Sequence, residues 1–249
     1  MALTKIQTEV LEGLMLGDGN LSIGGRSINP RLRINRAGVD DTYSEWIAEI
    51  FRPYTTAKSL KRSTVFDRRT NRTYDRTSFN TRRRPDFLPG YERWYGEGRK
   101  HLPKKLKLTP QTVAVWFADD GSFSLRKYGG VELKFNTSGF LQCEVDRLVA
   151  LLNDRYEEGF SKYGGYSGTN HYVIMASTRP ARRLLRDIDP VFPALDRKSS
   201  IWREGFSLVS MPRCPQCGAD AVFKDGFYSY KVRKQRLRCR ICKFCWLLP

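Results

Sequence analysis

Apolar and polar positions along this chain follow two rhythms, one of helical period and one of strand period, and the sequence of rhythms is written twice. Apolar segments at 10–17 and 113–118 have helical length. The second opens on Thr109-Pro110, a capping residue followed by proline at the first helical position. Both segments stop at glycine. Beyond each comes a pair of short alternating runs, 21–23 with 31–35 and 122–127 with 131–136, turning at Gly24-Gly25 and Gly129-Gly130. An amphipathic helix follows, carrying Tyr43, Trp46, Ile47 and Ile50 in one case and Val145, Leu148, Leu151 and Leu152 in the other. Further runs at 58–66 with 74–81, and at 160–166 with 171–177, predict a second strand pair in each unit. The predicted unit is α-β-β-α-β-β-α, present twice.

Sequence self-similarity supports the duplication. Residues 32–38 read Leu-Arg-Ile-Asn-Arg-Ala-Gly and residues 133–139 read Leu-Lys-Phe-Asn-Thr-Ser-Gly, the same Leu-basic-apolar-Asn-x-x-Gly string. Each string follows an apolar segment ending in Asp-Gly, Asp18-Gly19 or Asp120-Gly121, by nearly the same interval. The expected architecture is an α+β fold of two pseudo-twofold repeats, residues 1–104 and 105–208, with a small third domain at 209–249.

Charge says what such a fold would meet. Lys and Arg total 44 against 26 Asp and Glu, a net +18, and so basic a surface attracts a polyanion by releasing the counterions condensed on it. Alternation puts Leu32 and Ile34 on one face of their strand and Arg31, Arg33 and Asn35 on the other, with Lys134 and Asn136 at the equivalent places of the second repeat. Arg62, Arg72, Arg76, Arg82 and Arg83 crowd one hairpin and its exit, more positive charge than solubility requires. These residues are the candidate contacts to double-stranded DNA, since a basic β-ribbon can enter a major groove. The chain has no run of about 18 apolar residues and its first residues pass straight into a helical pattern, so a soluble, intracellular protein without a membrane partner is expected.

The two apolar helices carry the candidate chemistry. Gly13 and Gly17, four apart, lie on one helix face and let a second helix approach closely. Two such helices side by side would bring Asp18 and Asp120 together at the pseudo-dyad. An aspartate at a helix C-terminus opposes the helix dipole, a cost that points to function. Paired carboxylates there could hold Mg²⁺, which takes one or two protein acids and fills its remaining positions with water and substrate phosphate. In the second helix Val115 and Asp119 stand where small residues would be expected, so the two helices are not interchangeable.

Leu11 to Gly19 and Val113 to Gly121 resemble the LAGLIDADG motif, and two copies in one chain resemble the monomeric members of that homing endonuclease family. The resemblance covers about residues 6–205. It implies a single-chain enzyme that makes a double-strand break in a long, imperfectly palindromic DNA target to promote intron mobility, with Asp18 and Asp120 as catalytic acids and Mg²⁺ as cofactor. It also implies a basic residue near each site, matched by Lys100 and Lys198. The same fold implies two alternatives: an RNA maturase that binds its host intron RNA, or a DNA-binding regulator without catalysis.

Five of the six cysteines lie beyond residue 213. Cys214-Pro-Gln-Cys217-Gly and Cys239-Arg-Ile-Cys242 form two Cys-x-x-Cys knuckles that resemble a zinc ribbon, in which four thiolates close a tetrahedral Zn²⁺ site. Cys245 reads as a spare ligand or a thiol beside Trp246.

Overall fold

The computed structural model describes residues 2–25, 27–37, 41–96, 98–126, 130–165, 171–192, 212–219, 222–228 and 234–247. The chain divides into two compact units, Met1–Gly205 and Phe206–Pro249.

Helix α1 (Lys5–Leu16) begins five residues before the apolar segment that announces it. The reason is a capping box, with the Gln7 N–H donating to Thr4 Oγ1 at 3.3 Å and the Thr4 N–H donating to Gln7 Oε1 at 3.0 Å. Helix α4 (Pro110–Asp120) starts behind Thr109, whose hydroxyl oxygen accepts from the Thr112 N–H at 3.2 Å. After α1 come β1 (Asn20–Gly24), β2 (Ser27–Ala37), α2 (Asp41–Ile50), β3 (Leu60–Asp67), β4 (Arg72–Asn80) and α3 (Leu88–Tyr95). After α4 come β5 (Gly121–Arg126), β6 (Gly130–Asn136), α5 (Gln142–Tyr156), β7 (Phe160–Gly164), β8 (Tyr172–Ala176) and α6 (Thr178–Ile188). The α-β-β-α-β-β-α order is thus present twice, as the sequence predicts.

Each repeat builds one antiparallel four-stranded sheet, ordered β1-β2-β4-β3 in the first and β5-β6-β8-β7 in the second. The identical order is the structural form of the duplication. One face of each sheet is covered by helices: Leu32, Ile34 and Phe79 are buried with Tyr43 and Ile47 of α2, and Trp116 of α4 stacks on Phe135 of β6 at 4.1 Å between ring centroids. Strand β2 is longer than expected and runs through Pro30. Its missing N–H lies on the side of its own carbonyl, which accepts from the Arg84 N–H at 3.1 Å, beyond the β2–β4 ladder that begins at Arg33 and Asn80, where a proline costs no ladder bond.

Helices α1 and α4 pack against each other at close range. A β-carbon on Gly13 would stand 2.6 Å from the Thr112 carbonyl oxygen and from Val115 Cβ, so the bulk of Val115 occupies the room Gly13 leaves. The Thr112 hydroxyl also donates to the Glu9 carbonyl across this contact at 3.1 Å.

The second unit holds a three-stranded antiparallel sheet ordered β11-β10-β9, from β9 (Val222–Phe227), β10 (Gln235–Cys239) and β11 (Cys245–Leu247). Among the described residues, no helix is long and apolar enough to cross a membrane.

Candidate active site and nucleic-acid interface

Both motif acids stand at the ends of the paired helices, in different settings. Helix α1 stops at Leu16 and is capped by Gly17, so Asp18 lies just past the helix with its side chain 45% exposed. Helix α4 continues through Asp120, which is half-buried. Between them sits Asp119, whose side chain is fully buried. Its Oδ2 accepts from the Asp18 backbone N–H at 3.0 Å, and its Oδ1 accepts from the Tyr43 hydroxyl at 2.8 Å and from Arg36 Nη2. Arg36 Nη1 lies 3.5 Å from Asp18 Oδ2.

Burial pushes the Asp119 carboxyl upward against the pull of Arg36. Burial alone would push the Arg36 guanidinium down, but Asp119, Tyr43 and Asp18 together hold it above the usual arginine range. Arg36 is therefore a permanent cation at this place.

Lys100 joins the same neighbourhood. Its Nζ donates to the carbonyls of Gly17 at 3.0 Å and Gly19 at 3.1 Å, the two residues flanking Asp18. Burial brings the ammonium down to about 8 against attraction to Asp120, Asp119 and Asp18. The segment carrying it is tied down by Glu144 of α5, whose Oε1 accepts from the Leu102 N–H at 2.8 Å and whose Oε2 faces Arg99 at 3.4 Å. Lys198 lies outside the described residues.

The uncovered faces of the sheets carry most of the expected DNA contacts. On β2, Arg33 and Asn35 are exposed and Arg31 half-buried, alternating with Leu32 and Ile34. The ladder pairs Asn35 with Ser78 and Ala37 with Arg76, and Asp67 with Arg72, which puts Arg72 and Arg76 on the same face. Arg83 donates to the Ser22 carbonyl at 3.1 Å, and Arg82 to the Pro53 carbonyl at 3.0 Å. Burial, then the charges of Arg83 and Arg33, push the Arg31 guanidinium below its usual range.

Arg62 departs from the expectation. It is paired with Thr77 in the ladder, on the helix-covered face, and its guanidinium is engaged by Asp41 at 2.5 Å and Glu45 at 2.6 Å, both on α2. In the second sheet Lys134 and Asn136 point outward as expected. There Lys134 is paired with Glu132 at 2.5 Å, and the neighbouring positions are Met175 and Val173.

In the Phe206–Pro249 unit, the sulfurs of Cys214, Cys217, Cys239 and Cys242 all lie within 4.8 Å of one another. Cys214 Sγ is 3.5 Å from Cys242 Sγ, and Cys217 Sγ is 3.6 Å from Cys239 Sγ. Backbone N–H groups of the knuckle, Cys242 first, hold the Cys239 thiol down at about 7. Cys245 stands outside the cluster, exposed, with Arg238 Nε 3.1 Å from its sulfur.

The model of the LAGLIDADG DNA endonuclease family matches residues 8–184, which takes in both helix ends and both sheets. The chain belongs to that family. It is 32% identical over 166 residues to the DNA endonuclease I-ChuI of Chlamydomonas applanata, a match covering 63% of this chain and 75% of that protein. It is 30% identical over 129 residues to the cytochrome b mRNA maturase bI2 of Saccharomyces cerevisiae, covering 48% of this chain and 29% of that protein. The homing endonuclease I-WcaI, solved bound to its DNA recognition sequence, superposes with a TM-score of 0.69 at 21% identity, over 80% of this chain and 87% of that one. That likeness is one of fold.

Within this LAGLIDADG protein, three residues of the acidic centre escape a reading of the motif alone. Asp119 reads as a departure from the small residue expected in the motif, and it is turned inward as a bond acceptor. Arg36 carries a signal that alternation could have raised: it shares the inward face of β2 with Leu32 and Ile34, and a charged residue there is buried only when paired. Tyr43 reads as an ordinary core position of an amphipathic helix, and nothing in its spacing marks the hydroxyl.

Proposed function

We propose that this chain is a site-specific DNA endonuclease of the homing type, with Asp18 and Asp120 as its catalytic acids. The observation that carries the reading is the helix pair: two Asp-Gly helix ends set beside each other, next to a buried lysine and flanked by a basic sheet face. Residues 1–104 and 105–208 would each address one half of a long pseudo-palindromic target.

The acids suit a hard divalent cation. Asp18 presents an exposed carboxylate whose ion-pair partner lies 3.5 Å away, leaving oxygens for a ligand, and the carbonyl ends of two helices add negative potential. Bound Mg²⁺ would supply charge stabilisation at the reacting phosphate and a more acidic water. The chain's own residues do the rest. Lys100, through Gly17 and Gly19, fixes the turn that carries Asp18 and sets a positive charge beside the reacting phosphate. Lys198 would take the corresponding part in the second repeat. Arg31, Arg33, Asn35, Arg72, Arg76, Arg82, Arg83, Lys134 and Asn136 would hold the duplex, whereas Arg62 serves the β3–α2 contact.

Residues 209–249 would bind one Zn²⁺ through Cys214, Cys217, Cys239 and Cys242, four soft donors that suit a closed tetrahedral site.

The direct test is incubation with plasmid DNA carrying the uninterrupted form of the gene that hosts this reading frame. One discrete double-strand cut in Mg²⁺, and none in chelator, is expected; uniformly uncut plasmid opposes the proposal. The likeness to the cytochrome b maturase favours a second reading, assistance to intron splicing. Faster splicing of the host intron RNA by the purified protein would support that reading whether or not DNA is cut.

A further inference from the structure

Asp18 is held by a contact that crosses the repeat boundary, and that contact has a consequence for the reaction. Asp119 reaches across the repeat boundary. It fixes the Asp18 backbone through the Asp18 N–H at 3.0 Å and collects two donors from the first repeat, the Tyr43 hydroxyl at 2.8 Å and Arg36 Nη2. Arg36 in turn lies under the Tyr43 ring, 4.4 Å from guanidinium carbon to centroid, and extends Nη1 to within 3.5 Å of Asp18 Oδ2. Its side chain is only 3% exposed. So buried a guanidinium, pinned by an ion pair, a ring and a hydroxyl-bonded carboxylate, has little freedom to move, and the direction in which it pulls Asp18 is fixed with it.

The second repeat uses the same places for other work. Arg36 follows Asn35 as Thr137 follows Asn136, and the Thr137 hydroxyl donates to the Tyr172 carbonyl at 2.7 Å inside its own sheet. At the place of Tyr43 stands Glu144, which anchors the Lys100 segment through the Leu102 N–H. Position 137 thus carries a hydroxyl where the first repeat carries the Arg36 guanidinium, and the cation described near Asp120 is Lys100.

We propose that Arg36, held by Asp119 of the other repeat, is a positioning residue for Asp18 and controls the strand cut that depends on Asp18. This rests on the reading of Asp18 and Asp120 as the catalytic acids. Arg36 touches neither DNA nor metal in this account. It fixes the rotamer in which Asp18 faces its ligand, and it offsets part of the charge that Asp18 offers to a cation.

The test follows the two strands separately, on a supercoiled plasmid with one target labelled on each strand, across a Mg²⁺ titration. Arg36→Met is expected to slow one strand at least tenfold more than the other, so that a nick in one defined strand accumulates, and to change the Mg²⁺ concentration giving half-maximal rate. Arg36→Lys should restore part of the strand balance, and Thr137→Val should leave the strand ratio at its wild-type value. Should Arg36→Met fail to fold, the double variant Arg36→Gln/Asp119→Asn exchanges the buried ion pair for an amide pair of similar volume and carries the same expectation. Equal slowing of both strands with unchanged Mg²⁺ dependence would overturn the proposal and leave Arg36 a pin of the fold. Asp18→Asn is the control on the reading beneath it: if Asp18→Asn cuts both strands like wild type, the catalytic assignment itself fails. If it is inactive while Arg36→Met slows both strands alike, only the inference about Arg36 fails.

Discussion

Gly17 and Asp119 share one space: a β-carbon added to Gly17 would stand 2.3 Å from the Asp119 Cβ of the facing helix, and 2.5 Å from its Oδ2. Asp119 cannot yield, because its carboxylate is tied to Asp18, Tyr43 and Arg36. Gly17→Ala is therefore expected to lower stability by about 1–3 kcal/mol, the usual range for overpacking, and to reduce activity further by moving the acid pair. Gly13→Ala, which would meet the Thr112 carbonyl at 2.6 Å, should cost a similar amount. Urea unfolding of both variants checks this, and wild-type midpoints would refute the close helix contact.

The two classes of arginine on the first sheet should separate by salt dependence. Arg33→Ala removes an exposed cation from the uncovered face and should lower the slope of log affinity against log salt by about 1, as expected for one lost phosphate contact. Arg62→Ala should leave that slope unchanged, because its guanidinium is occupied by Asp41 and Glu45 on the other side of the sheet. Equal slope changes would place both residues on DNA.

Arg62 also shows where sequence reading stops. Repeat order, sheet pairing and the two helix ends are legible because they rest on period, glycine and the Asp-Gly repeat, all local to the chain. The hairpin is so rich in arginine that alternation alone does not assign the face of Arg62; its ladder partner Thr77 and the acids of α2 do. The Asp119–Arg36–Tyr43 cluster joins residues that are 76 and 83 positions apart, and only tertiary packing brings them together. Asp119 was legible as a departure from the motif, but its partners were not.

Lys100 gives a pH dependence with a definite sign. Its amine is brought down from 10.5 to about 8 in the folded chain, so between these values the unfolded chain holds more protons than the folded one. Stability must then rise with pH across that window. The penalty for burying the charge, at most ~3 kcal/mol from the size of the shift, is fully present below pH 8 and relieved as pH approaches 10.5. In metal-free buffer, wild type should gain stability relative to Lys100→Met between pH 8 and 10. A flat or falling difference in denaturant midpoints would contradict the burial of this amine among the acids.

The cysteine cluster predicts one zinc per chain. Removal by a strong chelator should unfold the three-stranded sheet of the Phe206–Pro249 unit, read as loss of dispersed amide signals from β9, β10 and β11, while signals of the Met1–Gly205 unit persist. Purified protein with no stoichiometric zinc and an intact sheet would remove the metal from the account.

The central claim is that Asp18 and Asp120 perform the cleavage. Its most direct measurement is the single-turnover cutting rate of Asp18→Asn and Asp120→Asn on the uninterrupted target in Mg²⁺, with binding measured in parallel by gel shift. Each variant is expected to bind within about threefold of wild type and to lose about 10² or more in the rate of at least one strand, since a neutral amide keeps the shape of the site but not its hold on a divalent cation. Wild-type cutting of both strands by both variants would contradict the account.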